Sequence, residues 1–459
     1  MLNPSIFRAY DIRGIYSDEL NEKMAYQIGR AFAVYIKENV SLRDISRREK
    51  EPEKVVVGHD ARVSSPVLKR SFIEGITHES VNVWDIGLVT VDMVYFASGY
   101  FHLPAAMITA SHNPKEWNGF KLMKSNVEFF AAKDLCPYGT SPVGREIIIS
   151  EKKGAPLREK GKIMEGDIKS YYLKHVLSFV DIGVIRPMRI AVNIGSGAVG
   201  SILKLILEKL PLKINAGHYS FGCAFDSDGD RIVFVDEKGE TVNPSIIGAL
   251  MAKYFLKRYP YGKIVYGATV SKIVPDVINI YGGEAIREKV GHAFIRGRLK
   301  ETGGILGIEA SGHYYFRKNF YADSGIISFL VLLDILSNEK KSLSVLVSKL
   351  SKYVSIPEMN FSTRGESQPK ADQPLAGAKN SGGKVVNPEE FIKKIAQNFE
   401  GYDMDWLDGL TVRTSDFWLN LRPSNTEPLV RLNIEAKNEL VLNRIKDDLL
   451  KLIEKEKTQ

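Results

Sequence analysis

The residues best suited to chemistry stand in a short polar loop that follows an apolar segment. Residues 105–110 read AAMITA, and Ser, His, Asn and Pro follow at 111–114. The apolar segment has strand character, and Pro114 disfavours the helical region at the preceding residue, so we expect an extended loop with Ser111 at its tip. A serine beside His112 at the carboxyl end of a strand suits a nucleophile in an α/β protein. Taken alone, four such residues are more typical of an ordinary Ser/Asn turn.

A second loop carries three aspartates at alternate positions. Residues 226–231 read DSDGDR, which places the carboxylates of Asp226, Asp228 and Asp230 around one point. Such hard oxygen ligands suit Mg²⁺ or Ca²⁺ and do not suit a soft metal. Because three carboxylates this close repel one another unless a cation is present, we favour a metal site over an acidic turn without an ion.

The same aspartates could open a calcium-binding loop of the EF-hand type, in which Glu237 would be the twelfth residue. That loop requires glycine at its sixth position, where this chain has Arg231. Residues 232–235 also read as a strand. We therefore reject the calcium loop.

Other polar stretches could contribute to a site, although each has an ordinary structural alternative. Residues 307–313, GIEASGH, could hydrogen-bond sugar hydroxyls or form a polar turn. Residues 422–428, RPSNTEP, combine an arginine, hydroxyls, an amide and backbone N–H groups, which makes a phosphate cradle or a tight β-turn. His292 could transfer a proton or simply lie in a loop. The loops at 7–14 and 58–62 contain arginines that, taken singly, are more typical of surface ion pairs than of ligand contacts.

The composition is that of an ordinary globular chain. It has 459 residues, of which 44% are hydrophobic and 26% charged, and its formal net charge is +8. This length predicts roughly three or four domains. The modest basic excess suits a polyanionic small substrate such as a sugar phosphate, and no cluster of basic and aromatic residues indicates a nucleic-acid partner. Cys136 and Cys223 lie far apart and indicate neither a disulfide framework nor a thiolate metal site.

The amino-terminal sequence and the apolar segments bear on location. The first residues, MLNPSIFRAYDIRG, lack the apolar core of a signal peptide. No uninterrupted apolar run is long enough to cross a membrane. We therefore expect a cytoplasmic protein without a membrane partner.

The elements that must position these residues alternate between strands and helices. Apolar runs predict strands at 55–57, 105–110, 190–192, 223–225, 231–235 and 263–266. Helical spacing predicts helices around 24–35, 199–210, 246–256, 326–336 and 441–453. This alternation indicates mostly parallel sheets covered on both faces. Residues 365–383 are rich in Gly, Pro, Ser and Lys, which is typical of a mobile loop or linker.

Taken together and in this order, these motifs resemble the α-D-phosphohexomutase family, which includes phosphoglucomutase and phosphomannomutase. The serine, triple-aspartate, Glu-x-Ser-Gly-His and Arg-Pro-Ser-Asn-Thr loops fall one in each of four expected domains, so the resemblance covers essentially the whole chain. It implies an α/β fold of three related domains with mixed, mostly parallel sheets and a smaller α+β C-terminal domain around one cleft. The expected boundaries are 1–150, 151–253, 254–353 and 354–459.

The resemblance also implies a phosphoserine enzyme that needs Mg²⁺, with a role for each site residue. Ser111 would carry the phosphoryl group, and one of its oxygens would bind Mg²⁺ together with the three aspartates. The other implied residues are Arg13, His112, Lys121, Arg231, His292 and His313 at the reacting centre, Tyr10, Glu309 and Ser311 at the sugar, and Arg422, Ser424, Asn425 and Thr426 at the phosphate that is not transferred.

The implied reaction is reversible phosphoryl transfer between the 1- and 6-positions of mannose or glucose phosphate. Glucose 1,6-bisphosphate, or mannose 1,6-bisphosphate, would be both intermediate and activator. Phosphoryl transfer depends on positioning and charge neutralisation, and the serine needs a base, which could be Lys121 or a histidine. A phosphoglucosamine mutase, an inactive sugar-phosphate-binding relative and a serine-dependent phosphatase remain alternatives. The residues do not predict whether the protein is a monomer or a homodimer.

Overall fold

The computed structural model describes residues 6–7, 11–40, 53–130, 159–195, 197–214, 218–362, 387–424 and 429–458. The chain divides into two compact units, one of Met1–Pro244 with Ser311–Ser344 and the other of Ser245–Ala310 with Val345–Gln459. The predicted linker at 365–383 lies outside the described residues. None of the helices within the described ranges is both long and apolar enough to span a membrane.

The first sheet of the first unit is mixed. It contains β1 (Ile12–Ile15), β2 (Lys54–His59), β3 (Asn82–Leu88), β4 (Ala105–Ile108), β5 (Trp117–Lys124), β6 (Glu128–Phe129) and β7 (Ile163–Glu165), with α1 (Glu22–Val40), α2 (Ser65–His78) and α3 (Val91–Phe101) between them. The strand order is β1-β5-β4-β2-β3-β7, with β6 beside β5. Strands β4, β2, β3 and β7 are parallel, whereas β5 runs antiparallel to β4 and to β1.

Packing in this part of the chain depends on close helix contact and on a buried central strand. A Cβ at Gly29 of α1 would lie 2.1 Å from the Phe72 carbonyl oxygen of α2, so only glycine fits there. Val55, Val56 and Val57 of β2 are fully buried, as expected for a parallel strand covered on both faces.

The second sheet of the first unit repeats this arrangement. It follows α4 (Lys169–Leu177) and contains β8 (Met188–Asn193), β9 (Leu212–Ile214), β10 (Phe221–Phe225), β11 (Ile232–Val235) and β12 (Thr241–Val242), with α5 (Ala198–Leu207) after β8. Its order is β9-β8-β10-β11-β12, with two parallel pairs followed by two antiparallel pairs. The order β3-β2-β4-β5-β1 in the first sheet has the same directions, so the repeat lies in topology.

The parallel half of the same arrangement recurs in the second unit. Its elements are α6 (Pro244–Arg258), β13 (Lys263–Gly267), α7 (Ile273–Ile280), β14 (Glu284–Glu288), α8 (His292–Thr302) and β15 (Leu306–Ile308). Strand β13 pairs in parallel with both β14 and β15. In the first unit, β16 (Tyr314–Phe316) and β17 (Ala322–Asp323) form an antiparallel pair that leads into α9 (Gly325–Glu339).

The remaining sheet, in the second unit, is antiparallel throughout. After α10 (Leu343–Ser348) come β18 (Val354–Ser355), β19 (Met359–Ser362), α11 (Pro388–Ala396), β20 (Asp403–Asp405), β21 (Leu410–Arg413), β22 (Phe417–Pro423), β23 (Leu429–Ala436) and α12 (Glu439–Thr458). Apolar residues of α11 and α12, including Phe391, Ile395 and Leu449, pack with the strands in one core. The predicted fold class, several α/β domains with mixed sheets and a C-terminal α+β domain, is confirmed. The four boundaries and the shared cleft stay predictions.

Candidate active site

Ser111 lies in a tight turn directly after β4. Its backbone φ is +51°, in the left-handed region, and the residue is only 3% exposed. The Ser111 N–H donates to Thr109 Oγ1 at 2.8 Å, and the Asn113 N–H donates to the Ala110 carbonyl at 3.0 Å. The prediction of an extended loop was therefore wrong. Pro114 restricts only the residue before it, and the chain folds back earlier, at Ser111.

The serine hydroxyl lies against groups from two loops. Its Oγ is 3.3 Å from His112 Nδ1 and donates to Asp226 Oδ2 at 3.5 Å. The Ser227 hydroxyl donates to the Ser111 carbonyl, which joins the two loops a second time. The fold thus brings the predicted nucleophile to the aspartate loop, 115 residues later in the chain.

The aspartate loop connects β10 with β11, and two helix amino termini hold its backbone. Within the loop, Asp226 Oδ1 accepts the Gly229 N–H at 3.1 Å, and Gly229 has a φ of +80°. The Val91 N–H of α3 donates to the Asp228 carbonyl at 2.9 Å, and the Gly325 N–H of α9 donates to the Gly229 carbonyl at 3.2 Å. A Cβ at Gly325 would lie 2.8 Å from that carbonyl oxygen, so the contact requires glycine.

The three aspartates form a donor set that fits a hard divalent cation. One carboxylate oxygen from each of Asp226, Asp228 and Asp230 lies within 4.8 Å of the others. Asp228 Oδ1 is buried and accepts no hydrogen bond from any residue that the structure describes. Three clustered carboxylates, one of which also has a buried oxygen without a described hydrogen-bond partner, match the preference of Mg²⁺ for oxygen ligands.

Cationic side chains lie against this cluster and the serine loop. Lys121 Nζ lies 2.8 Å from both Asp228 Oδ2 and Asp230 Oδ2, and Arg231 Nε lies 2.9 Å from Asp226 Oδ2. Arg13 donates from Nη1 to the Asn113 side-chain oxygen at 2.5 Å and to the Ala110 carbonyl at 3.3 Å. These positive charges are placed to neutralise an anion at Ser111.

The pKa shifts of the two kinds of candidate base, a lysine and a histidine, have opposite directions. Burial of Lys121 favours its neutral amine, but the charges of Asp228 and Asp230 outweigh burial and raise the pKa of Lys121 well above its usual value. Partial burial of the His112 imidazole, together with the charges of Arg231 and Arg13, lowers the pKa of His112 to about 4. At neutral pH, Lys121 in this arrangement is an ammonium and His112 is a neutral imidazole that can accept a proton.

The loop after β15 adds a histidine to the site in the first unit. Backbone pairing joins Arg231 with His313, and the Ile232 N–H donates to the Gly312 carbonyl at 3.3 Å. His313 Nε2 consequently lies 3.5 Å from Asp230 Oδ1, while its Nδ1 is 2.8 Å from the Ser311 hydroxyl.

In the second unit, the structure brings together two other groups of predicted site residues. Glu309 Oε1 accepts the Gly291 N–H at 2.9 Å, directly before His292 at the start of α8. At the end of β22, Arg422 is only 8% exposed. Its Nη2 donates to Glu358 Oε2 at 3.0 Å.

Ser424 completes the described part of the predicted phosphate loop. Its hydroxyl oxygen lies 3.4 Å from Nη2 of Arg431, which donates from Nη1 to Glu358 Oε1 at 3.0 Å. Tyr10, Asn425 and Thr426 lie outside the described residues.

Comparison with known proteins agrees with this geometry. Three models of phosphoglucomutase/phosphomannomutase domains match the chain: alpha/beta/alpha domain I at residues 4–133, alpha/beta/alpha domain III at 243–353 and the C-terminal domain at 369–452. The phosphomannomutase of Methanocaldococcus jannaschii is 31% identical over 98% of this chain and 98% of that protein. The chain belongs to the α-D-phosphohexomutase family.

Two further comparisons support the assignment to the phosphohexomutases. The phosphomannomutase of Escherichia coli strain K12 is 29% identical over 95% of this chain and 96% of that protein. A crystal structure of a phosphoglucomutase/phosphomannomutase family protein from Burkholderia thailandensis has a TM-score of 0.80 at 25% identity and covers 100% of this chain and 98% of that one. Membership supports a hexose phosphate mutase activity, and the family is generally Mg²⁺-dependent.

The sequence pattern did not predict that one further residue, Arg62, lies at this phosphohexomutase site. The arginine of the 58–62 loop, Arg62, is typical of a surface ion pair when judged alone, yet its side chain is only 7% exposed. Its guanidinium donates to carbonyls of the serine loop. The sequence shows the arginine after a strand, but only the pairing of β2 with β4 brings it beside Ser111.

Removing the Lys121 charge should destabilise the phosphohexomutase in a way that Mg²⁺ corrects. Lys121→Met leaves the buried carboxylates of Asp228 and Asp230 without their shared cation, which we expect to cost about 3 kcal/mol in EDTA. Added Mg²⁺ should recover much of that loss, because the freed oxygens suit the metal. Thermal unfolding of both proteins, in EDTA and in Mg²⁺, measures the effect.

The matched control for this prediction is Lys69→Met. Lys69 also pairs with a carboxylate, Asp85, at 2.7 Å, but this pair is more exposed and lies outside the acidic groups found in the described part of the chain. We expect a smaller loss of stability that does not respond to Mg²⁺. An unchanged unfolding midpoint for Lys121→Met in EDTA would contradict the role given to Lys121.

Asp92 is a buried acid beneath the aspartate loop, between the amino termini of α3 and α9. Its Oδ1 accepts the Thr90 hydroxyl, and its Oδ2 accepts the hydroxyls of Tyr172 at 2.5 Å and Ser324 at 2.6 Å. Burial raises the pKa of Asp92 to about 6, although the three hydroxyl donors favour the carboxylate; the charge of Asp230 raises the pKa further.

Asp92 should make the stability of the phosphohexomutase depend on pH. The pKa of about 6 in the folded chain exceeds the ordinary value of 3.8, so the stabilising contribution of the proton is fully present below about pH 4 and is lost as the pH rises through 6. The loss is on the order of 3 kcal/mol.

Asp92→Asn isolates this contribution. Because the amide does not ionise, the stability of the variant relative to wild type should improve between pH 4.5 and pH 7.5, as followed by unfolding midpoints. A difference between the two proteins that stays constant across this range would show that Asp92 does not titrate there.

Proposed function

We propose that this protein is a phosphoserine phosphohexomutase that reversibly moves a phosphoryl group between the 1- and 6-positions of mannose or glucose phosphate. The observation that carries the proposal is the position of Ser111 Oγ beside the aspartate cluster, whose carboxylates pair with Lys121 and Arg231, in a loop that also accepts a hydrogen bond from Arg13. A serine hydroxyl has little nucleophilicity of its own, and this surrounding supplies what phosphoryl transfer requires, namely charge neutralisation and a fixed geometry.

The proposed reaction consists of two half-reactions. In the first, the bond between phosphorus and Ser111 Oγ breaks as a sugar hydroxyl oxygen bonds to phosphorus; the sugar hydroxyl proton passes to a base, and the departing serine oxygen takes up a proton. In the second, the bisphosphate returns its other phosphoryl group to Ser111 Oγ, and the sugar oxygen that is released takes up a proton. The hydroxyl proton of Ser111 then needs an acceptor, and neutral His112 is the candidate at 3.3 Å.

Cationic groups supply the electrostatic part of the mechanism. Asp226, Asp228 and Asp230 would hold Mg²⁺, which when bound supplies positive charge to the phosphoryl oxygens. Arg13 beside the serine loop and Arg231 beside Asp226 would stabilise the negative charge that spreads over the transferring group.

We assign substrate recognition to the remaining predicted residues. Glu309, Ser311, His292 and His313 would contact the sugar and the reacting centre, together with Tyr10. Arg422, Ser424, Asn425 and Thr426 would bind the phosphate that is not being transferred. These loops belong to the proposed domains 1–150, 151–253, 254–353 and 354–459, which would enclose one cleft and keep the bisphosphate from water.

The preferred sugar is inferred from the relatives. Those reported above are named phosphomannomutase or phosphoglucomutase/phosphomannomutase, which favours mannose and glucose phosphates. An N-acetylphosphoglucosamine mutase of Aspergillus fumigatus, solved with GlcNAc-6P and magnesium, shares the fold with a TM-score of 0.61 at 12% identity. An amino sugar is accordingly the second candidate.

A coupled assay tests the proposal. The protein is incubated with mannose 1-phosphate, glucose 1-phosphate or glucosamine 1-phosphate, together with Mg²⁺ and a trace of the matching 1,6-bisphosphate, and the 6-phosphate and free phosphate are both measured. We expect isomer formation without phosphate release, abolished by EDTA. Phosphate release without isomer would identify a phosphatase. Turnover of glucosamine phosphate alone would transfer the assignment to the amino sugar, and no turnover with any of the three would indicate an inactive relative.

A further inference from the structure

The guanidinium of Arg62 donates hydrogen bonds to backbone carbonyl oxygens of the serine loop, at the turn and after it. Nη2 donates to the carbonyls of Ser111 at 2.5 Å and Asn113 at 2.7 Å, and Nη1 donates to those of Pro114 at 2.7 Å and Trp117 at 2.9 Å. Four carbonyls within seven residues therefore converge on one planar group. Arg62 touches the backbone of the nucleophile without competing for its hydroxyl.

A buried acid holds the other side of Arg62. Asp60 is completely buried, and its Oδ2 lies 3.2 Å from Arg62 Nε. The same Oδ2 accepts the Thr109 hydroxyl at 2.7 Å, and its Oδ1 accepts the Ser65 hydroxyl at 2.5 Å. The Thr109 Oγ1 in turn accepts the Ser111 N–H. Asp60 is therefore connected to both the amide and the carbonyl of Ser111.

The backbone conformation of Ser111 explains why these hydrogen bonds matter. A φ of +51° is unfavourable for a residue that has a Cβ, so the loop has other backbone states available unless its surroundings exclude them. A guanidinium presents its donors in a rigid planar fork and can bind several carbonyls at fixed angles, whereas a lysine ammonium is a single point charge on a flexible stem.

We propose that Arg62 is a positioning residue for phosphoryl transfer: its fork, anchored on Asp60, fixes the backbone of Ser111 so that the serine oxygen faces the aspartate cluster throughout both half-reactions. This inference rests on the proposed phosphoserine mutase function. Because the Arg62 side chain, among the residues that the structure describes, hydrogen-bonds the carbonyl oxygens of the loop and pairs with Asp60, its effect should appear in the transfer step more than in sugar binding.

Arg62→Lys and Arg62→Gln test the fork, since the first keeps the charge and the second keeps only a smaller polar group. We expect kcat to fall about 100-fold in both variants, because a displacement near 1 Å at a reacting atom has effects of that size, while KM for the hexose 1-phosphate changes about threefold or less. The ³¹P resonance of phospho-Ser111, formed with glucose 1,6-bisphosphate, should shift or broaden in both.

Arg30→Lys and Arg30→Gln are the matched controls. Arg30 of α1 is also partly buried and paired with a carboxylate, Glu79, at 2.7 Å, but it donates no hydrogen bond to the serine loop. These variants should keep wild-type kcat and the wild-type ³¹P resonance. Unfolding midpoints of all four variants separate misfolding from mispositioning.

Each outcome decides the inference. Wild-type kcat in Arg62→Lys, or an unchanged ³¹P resonance in both Arg62 variants, would overturn it. Failure of both to fold while the Arg30 variants fold would also overturn it, because Arg62 would then serve the stability of the unit. A wild-type protein that neither isomerises hexose phosphates nor becomes phosphorylated at Ser111 would instead overturn the proposed function.

Discussion

Ser111→Ala is expected to lower kcat by at least about 10³-fold while leaving the fold intact, since no other group can take the place of a covalent nucleophile. With the residues that the structure describes, the hydroxyl makes two hydrogen bonds, both of 3.3 Å or longer. Alanine meets the same backbone constraint as serine at a φ of +51°, so the unfolding midpoint should change little. The measurement is the coupled assay with glucose 1-phosphate, together with thermal unfolding and the mass of the protein after incubation with glucose 1,6-bisphosphate.

Ser201→Ala is the control for this substitution. Ser201 lies inside α5, where its hydroxyl donates to the Ala198 carbonyl of the same helix. This variant should keep both its turnover and the mass increase of one phosphoryl group. Turnover above about one hundredth of the wild-type rate in Ser111→Ala, or a phosphoryl group still found on that variant, would remove Ser111 from the role of nucleophile.

Local sequence patterns predicted individual strands and loops of this site but did not predict which of them lie next to one another. The apolar run before Ser111 and the alternating aspartates at 226–230 are short-range features, so strands β4 and β10 and both loops could be predicted. The ion pairs between Lys121 and the aspartates join residues 107 and 109 positions apart. No periodicity in the sequence records which strands will be neighbours.

The direction of a strand relative to its neighbours could not be predicted from the sequence, for the same reason. Alternating strands and helices predicted mostly parallel sheets, yet β5 runs antiparallel beside β4. That reversal places Lys121 opposite Met107, next to the serine loop. Strands β9, β12 and β17 have only two or three residues each, too few for a hydrophobic pattern to be recognised.

The left-handed turn at Ser111 shows a further limit. Glycine at this position would have indicated a positive φ, but the residue is a serine, and the constraint from Pro114 predicted extension. The turn is held by groups remote in sequence, among them Arg62 and Ser227. A conformation that tertiary contacts impose on a locally unsuitable residue is typical of functional sites.

Asp228→Asn is expected to weaken Mg²⁺ binding by at least about tenfold and to lower turnover by about 10²-fold at an Mg²⁺ concentration that saturates the wild type. The substitution keeps the shape of the side chain but removes one of three charges, and it can turn an amide N–H₂ toward the position of the free Oδ1. Isothermal titration with Mg²⁺, and the rise of the unfolding midpoint that Mg²⁺ causes in the wild type, are readouts independent of activity.

Asp85→Asn makes the same charge change in a carboxylate that also pairs with a lysine, Lys69, but lies in neither of the two potential metal-binding groups found among the described residues. Its Mg²⁺ affinity and turnover should equal those of the wild type. Turnover that is lost in Asp228→Asn without any change in Mg²⁺ affinity would mean that the carboxylate serves Lys121, with which it is paired at 2.8 Å, and not the metal. Equal Mg²⁺ affinity and equal turnover in Asp228→Asn and wild type would remove Asp228 from the site, because a buried carboxylate that binds a divalent cation cannot be neutralised without a change in affinity.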